Sequence, residues 1–178
     1  MRNIYEDAEH PHLETGKLAD KNAVFLAFIA KEVQPYLDKK DSWDKDLAEA
    51  KINQMLMTMR WDNTLGFLGG KVDQDETLEE ALLREIKEEA GVELSDEEIS
   101  KLEPFCTHAI NEMFNSHLFV LEVDLERLRQ IQRGSMNGED FYAESAGLVL
   151  VHIHEKSINN LLKSSLAKTV KEELRLLL

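Results

Sequence analysis

"GGKVDQDETLEEALLREIKEEAGVEL" (residues 69–94) places nine acidic side chains in 26 positions, six of them between Glu76 and Glu89. Each like-charge pair at i,i+4 on a helix costs a few tenths of a kcal/mol, so the crowding needs a cause. Leu78, Leu82, Ile86 and Ala90 recur every four residues with Ala81 beside them. They predict the core-facing stripe of a helix starting at Asp75 or Glu76 and running to about Ala90, with Gly91 placed to end it. Glu85, Glu88 and Glu89 are spaced i,i+3 and i,i+4, which gathers their carboxylates on one patch beside that stripe. Arg84 stands i,i+4 from both Glu80 and Glu88. It lies two turns, roughly 12 Å of rise, from Glu76, so those two long side chains can meet. A solvated helix laced with ion pairs accounts for Glu79, Glu80 and Lys87. It does not account for the triple cluster, which Arg84 and Lys87 are too few to neutralise. Hard divalent cations bind through a few carboxylate oxygens and retained waters, and the cluster is a candidate Mg²⁺ or Mn²⁺ site.

The same stretch fits G-x5-E-x7-R-E-U-x-E-E-x-G-U, with U apolar, at every fixed position: Gly70, Glu76, Arg84, Glu85, Ile86, Glu88, Glu89, Gly91 and Val92. At average residue usage the odds of this at a given start are well below roughly one in a million. The chain therefore resembles a Nudix hydrolase. The resemblance implies an α/β class, with the Nudix α/β/α sandwich around a mixed sheet. It implies that Glu85, Glu88 and Glu89 ligate Mg²⁺ or Mn²⁺ together with the Gly70 carbonyl, that Arg84 positions the glutamates, and that Glu76 pairs with Arg84 while Gly91 supports the box. Glu85 or Glu89 is a candidate general base. So is Glu144, ahead of Glu139 and Asp140, in the loop before "AGLVLV". "MLMTMRWDNTLGFLGG" and "ESAGLVLVHI" followed by "SSLAKTVKEEL" are similar to the nuclear RNA-decapping and inosine diphosphatase branch. Leu68 stands where that branch usually has Pro, and Phe25 where it carries a purine-reading histidine. The implied activity is metal-dependent cleavage of a phosphoanhydride bond in nucleoside diphosphate derivatives, purine nucleotides and capped RNA first. The alternative is a Nudix-fold module that senses a nucleotide without cleaving it, against which the unbroken box argues. Implied partners are a nucleotide substrate, RNA 5′ ends and, in a homodimer, a second copy of the chain. Arg60 is a candidate phosphate contact, and Phe67, Phe25 and Trp61 are candidate stacking partners, Phe25 reading better as core. A base held by stacking alone is weakly discriminated.

Outside the box, 178 residues fit one domain, 1–178, with a substantial core. A net charge of −14 argues against broad nucleic-acid binding, which needs cations against phosphates. Arg127, Arg129, Arg133, Lys163, Lys168 and Lys171 remain as local positive charge. The longest apolar run, "AVFLAFIA" at 23–30, is too short to cross a bilayer, and the N-terminus lacks a signal-peptide layout. The single cysteine, Cys106, suits a reducing cytoplasm. Strands are expected at 22–30, 52–61, 104–111, 115–124 and 146–153, with a loop or bulged strand at 65–70. Residues 35–50 read as a polar excursion. Helices are expected at 95–102, where Ser95 and Glu98 form a capping box, at 123–134, and as one or two over 157–178. Cys106, His108, His152 and His154 lack the short spacing of a zinc knuckle.

Overall fold

The apolar run at the centre of the chain becomes the centre of the sheet. The computed structural model describes residues 10–34, 51–139, 143 and 145–177. In it the run forms β2 (Lys21–Val33). Side chains alternate along a strand, and here Val24, Leu26, Phe28 and Ala30 enter one core cluster while Ala27 and Ile29 enter another. A strand covered on both faces reads as continuously apolar, which is why no polar alternation marks it. β1 (His12–Leu13), β6 (Glu103–Asn111) and β7 (Phe114–Glu122) lie to one side of β2, and β3 (Ile52–Arg60) and β4 (Leu65–Gly66) to the other. β5 (Leu68–Lys71) pairs with the first half of β2, and β8 (Ser145–Ile153) with β3. The β2–β7 pair is parallel and the other pairs are antiparallel, giving a mixed sheet.

Helices cover both faces, as the sandwich requires. Ala81, Leu82, Ile86 and Ala90 of α1 (Leu78–Ala90), with Leu128 and Ile131 of α3 (Leu125–Gly134), pack on the first cluster. Ile158 and Leu161 of α4 (Glu155–Leu161), with Val170 and Leu174 of α5 (Val170–Leu177), pack on the second. The short α2 (Asp96–Ile99) carries the expected capping box between Ser95 and Glu98.

Three expectations need correction or completion. α1 begins at Leu78, not at Asp75 or Glu76, because Thr77 caps it. The Thr77 hydroxyl accepts from the Glu80 N–H, and the Glu80 carboxylate accepts from the Thr77 N–H. Residues 65–70 resolve into the two short strands β4 and β5 on either side of Phe67. The excursion at 35–50 lies outside the described residues. Among the described residues no helix is long and apolar enough to cross a membrane.

Candidate active site

Two glycines let β5 lie close to its neighbours, Gly69 against β2 and Gly70 against α1. A Cβ on Gly69 (φ 136°) would stand 2.0 Å from the Val24 carbonyl oxygen, and one on Gly70 would stand 2.6 Å from both Glu85 carboxylate oxygens. The Gly69 N–H donates to Glu89 Oε2 at 2.9 Å. Gly91, at φ 61°, closes the far end of the helix, its N–H donating to the Lys87 carbonyl.

Arg84 is held in a fork. Its Nε and Nη2 donate to the two oxygens of Glu76 at 2.7 and 2.9 Å, and Nη2 also donates to the Lys71 carbonyl. Nη1 donates to Glu85 Oε1 at 2.9 Å and Glu88 Oε2 at 3.0 Å. The Arg84 hydrogen bond, helped by the Asp73 N–H, holds the Glu76 carboxyl down at about 2, and the three glutamates, Glu76 first, raise the guanidinium in turn.

The triple cluster is thereby divided. Glu85 and Glu89 are 9% and 6% exposed and line a cleft of about 600 Å³, whereas Glu88 stays beside Arg84 outside it. Among the described residues no three His, Cys, Asp or Glu side chains converge closely enough to hold a metal ion. Arg84 and the Gly69 N–H take carboxylate oxygens that a cation would compete for. The donor chemistry nevertheless fits a hard cation: buried carboxylates beside a backbone strand, without sulfur or imidazole.

The cleft gathers further groups from distant parts of the chain. Arg60, Lys71 and Lys168 bring positive charge to it, and Phe67, Phe25 and Phe114 bring aromatic surface. Phe25 is therefore not purely core; it is half-buried on the cleft wall. Arg60 starts a tight turn in which the Thr64 N–H and hydroxyl donate to Asp62 Oδ1, and the hydroxyl bond in particular lowers the Asp62 carboxyl. Leu166 is brought in because the 165–167 segment docks on β4, with Leu65 donating to the Ser165 carbonyl and Ala167 to the Leu65 carbonyl.

Other candidates fall elsewhere. Trp61 is exposed and does not line the cleft. Glu139 is exposed, and Glu144 and Asp140 lie outside the described residues. Arg127 is tied to Glu98 and the Glu93 carbonyl, and Arg133 to Glu126. β6 and β8 are separated by β7, β2 and β3, which keeps Cys106 and His108 apart from His152 and His154.

One cleft residue was missed from the sequence. Glu173 is 1% exposed and lines the cleft from α5. Burial pushes its carboxyl up to about 8, against the Thr169 and Ser116 hydroxyls, which pull it down. The signal was available: Val170, Glu173, Leu174 and Leu177 form one helical stripe, and a carboxylate in an apolar stripe needs a reason.

The sequence profile of the family described as "Nudt16-like: U8 snoRNA-decapping enzyme-like" matches residues 44–175. A U8 snoRNA-decapping enzyme of Homalodisca vitripennis is 34% identical over 101 residues, covering 56% of this chain and 54% of that protein. The chain spans about half the length of the curated relatives it matches. A mutT/nudix family protein from Listeria innocua superposes with a TM-score of 0.54 at 18% identity, covering 90% of this chain and 93% of that one. A bifunctional NMN adenylyltransferase/ADP ribose pyrophosphatase from Francisella tularensis, complexed with AMP and a Mn ion, gives 0.58 at 15% identity, covering 91% and 42%.

Proposed function

Because the chain belongs to the Nudt16-like, U8 snoRNA-decapping-enzyme-like family, we propose that it hydrolyses a phosphoanhydride bond in nucleoside diphosphate derivatives, using Mg²⁺ or Mn²⁺. The observation that carries this reading is the cleft itself, where two buried carboxylates, Glu85 and Glu89, face a space bordered by Arg60, Lys71 and Lys168. A carboxylate floor repels a phosphate unless a cation lies between them. A bound divalent cation supplies that neutralisation and acidifies the attacking water.

The rest belongs to the chain's own residues. Glu85 and Glu89, with the Gly70 carbonyl, would be the oxygen donors for the cation, and Glu88 would join them from beside Arg84. Glu76 fixes Arg84, and Arg84 holds Glu85 and Glu88 in place. Arg60, Lys71 and Lys168 take the phosphate charge. Phe25, Phe67 and Phe114 give the base an apolar wall. Glu85 or Glu89 takes the proton from water, and Glu144 is the loop alternative. Capped RNA ends join small purine nucleotides as candidate substrates because the named relatives are decapping enzymes. Residues 1–178 are read as one such domain, and its single unpaired Cys106 suits a cytoplasmic setting.

The test is phosphate or nucleotide release across nucleoside di- and triphosphates, ADP-ribose and capped RNA, with Mg²⁺ or with excess EDTA. Release in Mg²⁺ that stops with EDTA is expected. Full activity in EDTA sinks the metal mechanism, and no release from any substrate sinks the hydrolase reading.

A further inference from the structure

Two polar atoms that border the cleft have no hydrogen-bond partner among the described residues. Glu173 Oε2 and Thr58 Oγ1 are both buried without a hydrogen-bond partner, and both residues line the same space. A buried polar group left unpaired costs roughly 1–3 kcal/mol. Here the free atoms border a cleft large enough for a drug-sized ligand. The backbone around them is strained as well: Thr169, one turn before Glu173, has φ 63°, an uncommon conformation for a β-branched residue and typical of ligand clamps. Glu173 Oε1 receives a long hydrogen bond from the Ser116 hydroxyl, 3.4 Å, and the Thr169 hydroxyl, which also lowers the carboxyl, makes its short bond to the Lys168 carbonyl instead, 2.6 Å. The apolar wall of Phe25 and Phe114 borders the same space.

We propose that Glu173 reads the edge of the substrate's base, offering one donor and one acceptor as a neutral carboxyl and two acceptors as a carboxylate. This rests on the reading of the cleft as a nucleotide site. The two forms suit different purines. Adenine shows an amino donor beside the N1 acceptor and pairs with the neutral acid. Guanine shows N1–H and an amino group, two donors side by side, and pairs with the carboxylate. Base choice is therefore coupled to one proton.

The surroundings favour the neutral form in the free protein. Cys106 on β6 interacts with Glu173, and its thiol is itself pushed up to about 12, first by burial and then by that carboxylate. Ser116 on β7 is uncharged, and Glu172 on the same helix adds negative charge. The cations that border the cleft, Arg60, Lys71 and Lys168, are all exposed to solvent. Burial therefore dominates, and the carboxyl titrates near 8, within the physiological range. Stacking alone would leave bases weakly distinguished; a buried donor–acceptor pair distinguishes them by what it leaves unpaired.

The experiment is calorimetric binding of AMP and of GMP in Mg²⁺, at about pH 6.5 and about pH 8.5; neither nucleotide has a phosphoanhydride bond, so binding is read without turnover. The apparent affinity scales with the fraction of protein in the competent form. With a carboxyl titrating near 8, the AMP-to-GMP affinity ratio should fall roughly a hundredfold across that interval. The phosphate's own ionisation is common to both nucleotides and cancels. In Glu173→Gln the amide keeps one donor and one acceptor at every pH, so the AMP preference should persist and the ratio should stay constant within about twofold. A wild-type ratio that ignores pH, or a Gln variant that keeps the wild-type pH dependence, overturns the proposal. Hydrolysis with a pH-independent base ratio removes this role for Glu173 and leaves the hydrolase standing. A pH-dependent ratio without hydrolysis does the reverse. A folded protein that binds neither nucleotide overturns both.

Discussion

Gly70 and Gly91 flank the acidic helix, and absence of a side chain does different work at each. At Gly70 a methyl group would sit 2.6 Å from the Glu85 carboxylate, so Gly70→Ala must swing that carboxylate away. Hydrolysis should fall at least about a hundredfold, the order seen when a preorganised charge is lost from a site, and steady-state kinetics checks it. At Gly91 the requirement is φ 61°, where an L side chain costs roughly 1–2 kcal/mol, and a Cβ there would also stand 2.9 Å from the Asn137 carbonyl carbon and the Gly138 nitrogen. Gly91→Ala should lower the melting temperature and largely spare the hydrolysis rate of the folded protein. Equal loss of rate in both variants would mean that Gly70 is no more than packing. Helical spacing brought Arg84 and the three glutamates together, because helical geometry is local, whereas Glu76 stands before the Thr77 cap and meets Arg84 from outside the helix. Spacing could not reveal that Glu85 and Glu89 turn into a cleft while Glu88 stays with Arg84. That division is imposed by β5, which arrives from elsewhere in the sheet.

The acidic helix presents its core stripe and its carboxylates on adjoining faces. Leu82 and Ile86 are fully buried in the first core cluster, so Leu82→Ala and Ile86→Ala should each destabilise by roughly 2–5 kcal/mol in urea titrations. Thr77→Ala removes the capping hydroxyl and should cost about 1 kcal/mol. Glu79 is exposed, and Glu79→Ala should change neither stability nor rate; a large effect there would refute the face assignment. At this scale the sequence was most readable where one signal spoke alone. Ser95 and Glu98 announced α2, whereas the cap formed by Thr77 and Glu80 was hidden in an acidic run that made Asp75 and Glu76 look equally good starts. Strand β2 was found from its apolar content. Its split pairing, β5 along one half and β3 along the other, depends on contacts between distant segments and left no local trace.

Among the described residues, the buried groups His108, His117 and Glu173 pull stability in opposite directions as pH changes, while the Cys106 thiol, pushed up to about 12, acts at higher pH. Burial lowers His108 and His117 to about 4, below the ordinary imidazole value near 6.5. Their contribution is present above that value and is lost as pH falls toward 4. Burial raises Glu173 to about 8, above the ordinary carboxyl value near 4.3. Its contribution is complete below the ordinary value and is lost as pH rises through 8. Between about pH 4.3 and 6.5 the two imidazoles outweigh the single carboxyl, and above 6.5 the carboxyl acts without them. Stability should therefore peak near pH 6.5. Raising the pH from about 6.5 to about 8.5 should remove roughly 2 kcal/mol through Glu173. Glu173→Gln has no proton to lose, so its alkaline limb should be flat while its acid limb, set by His108 and His117, stays. Urea denaturation of both proteins across this range measures the difference directly. Parallel alkaline limbs would mean that Glu173 is already ionised in the folded protein, and the proton-coupled reading of the base would fall with it.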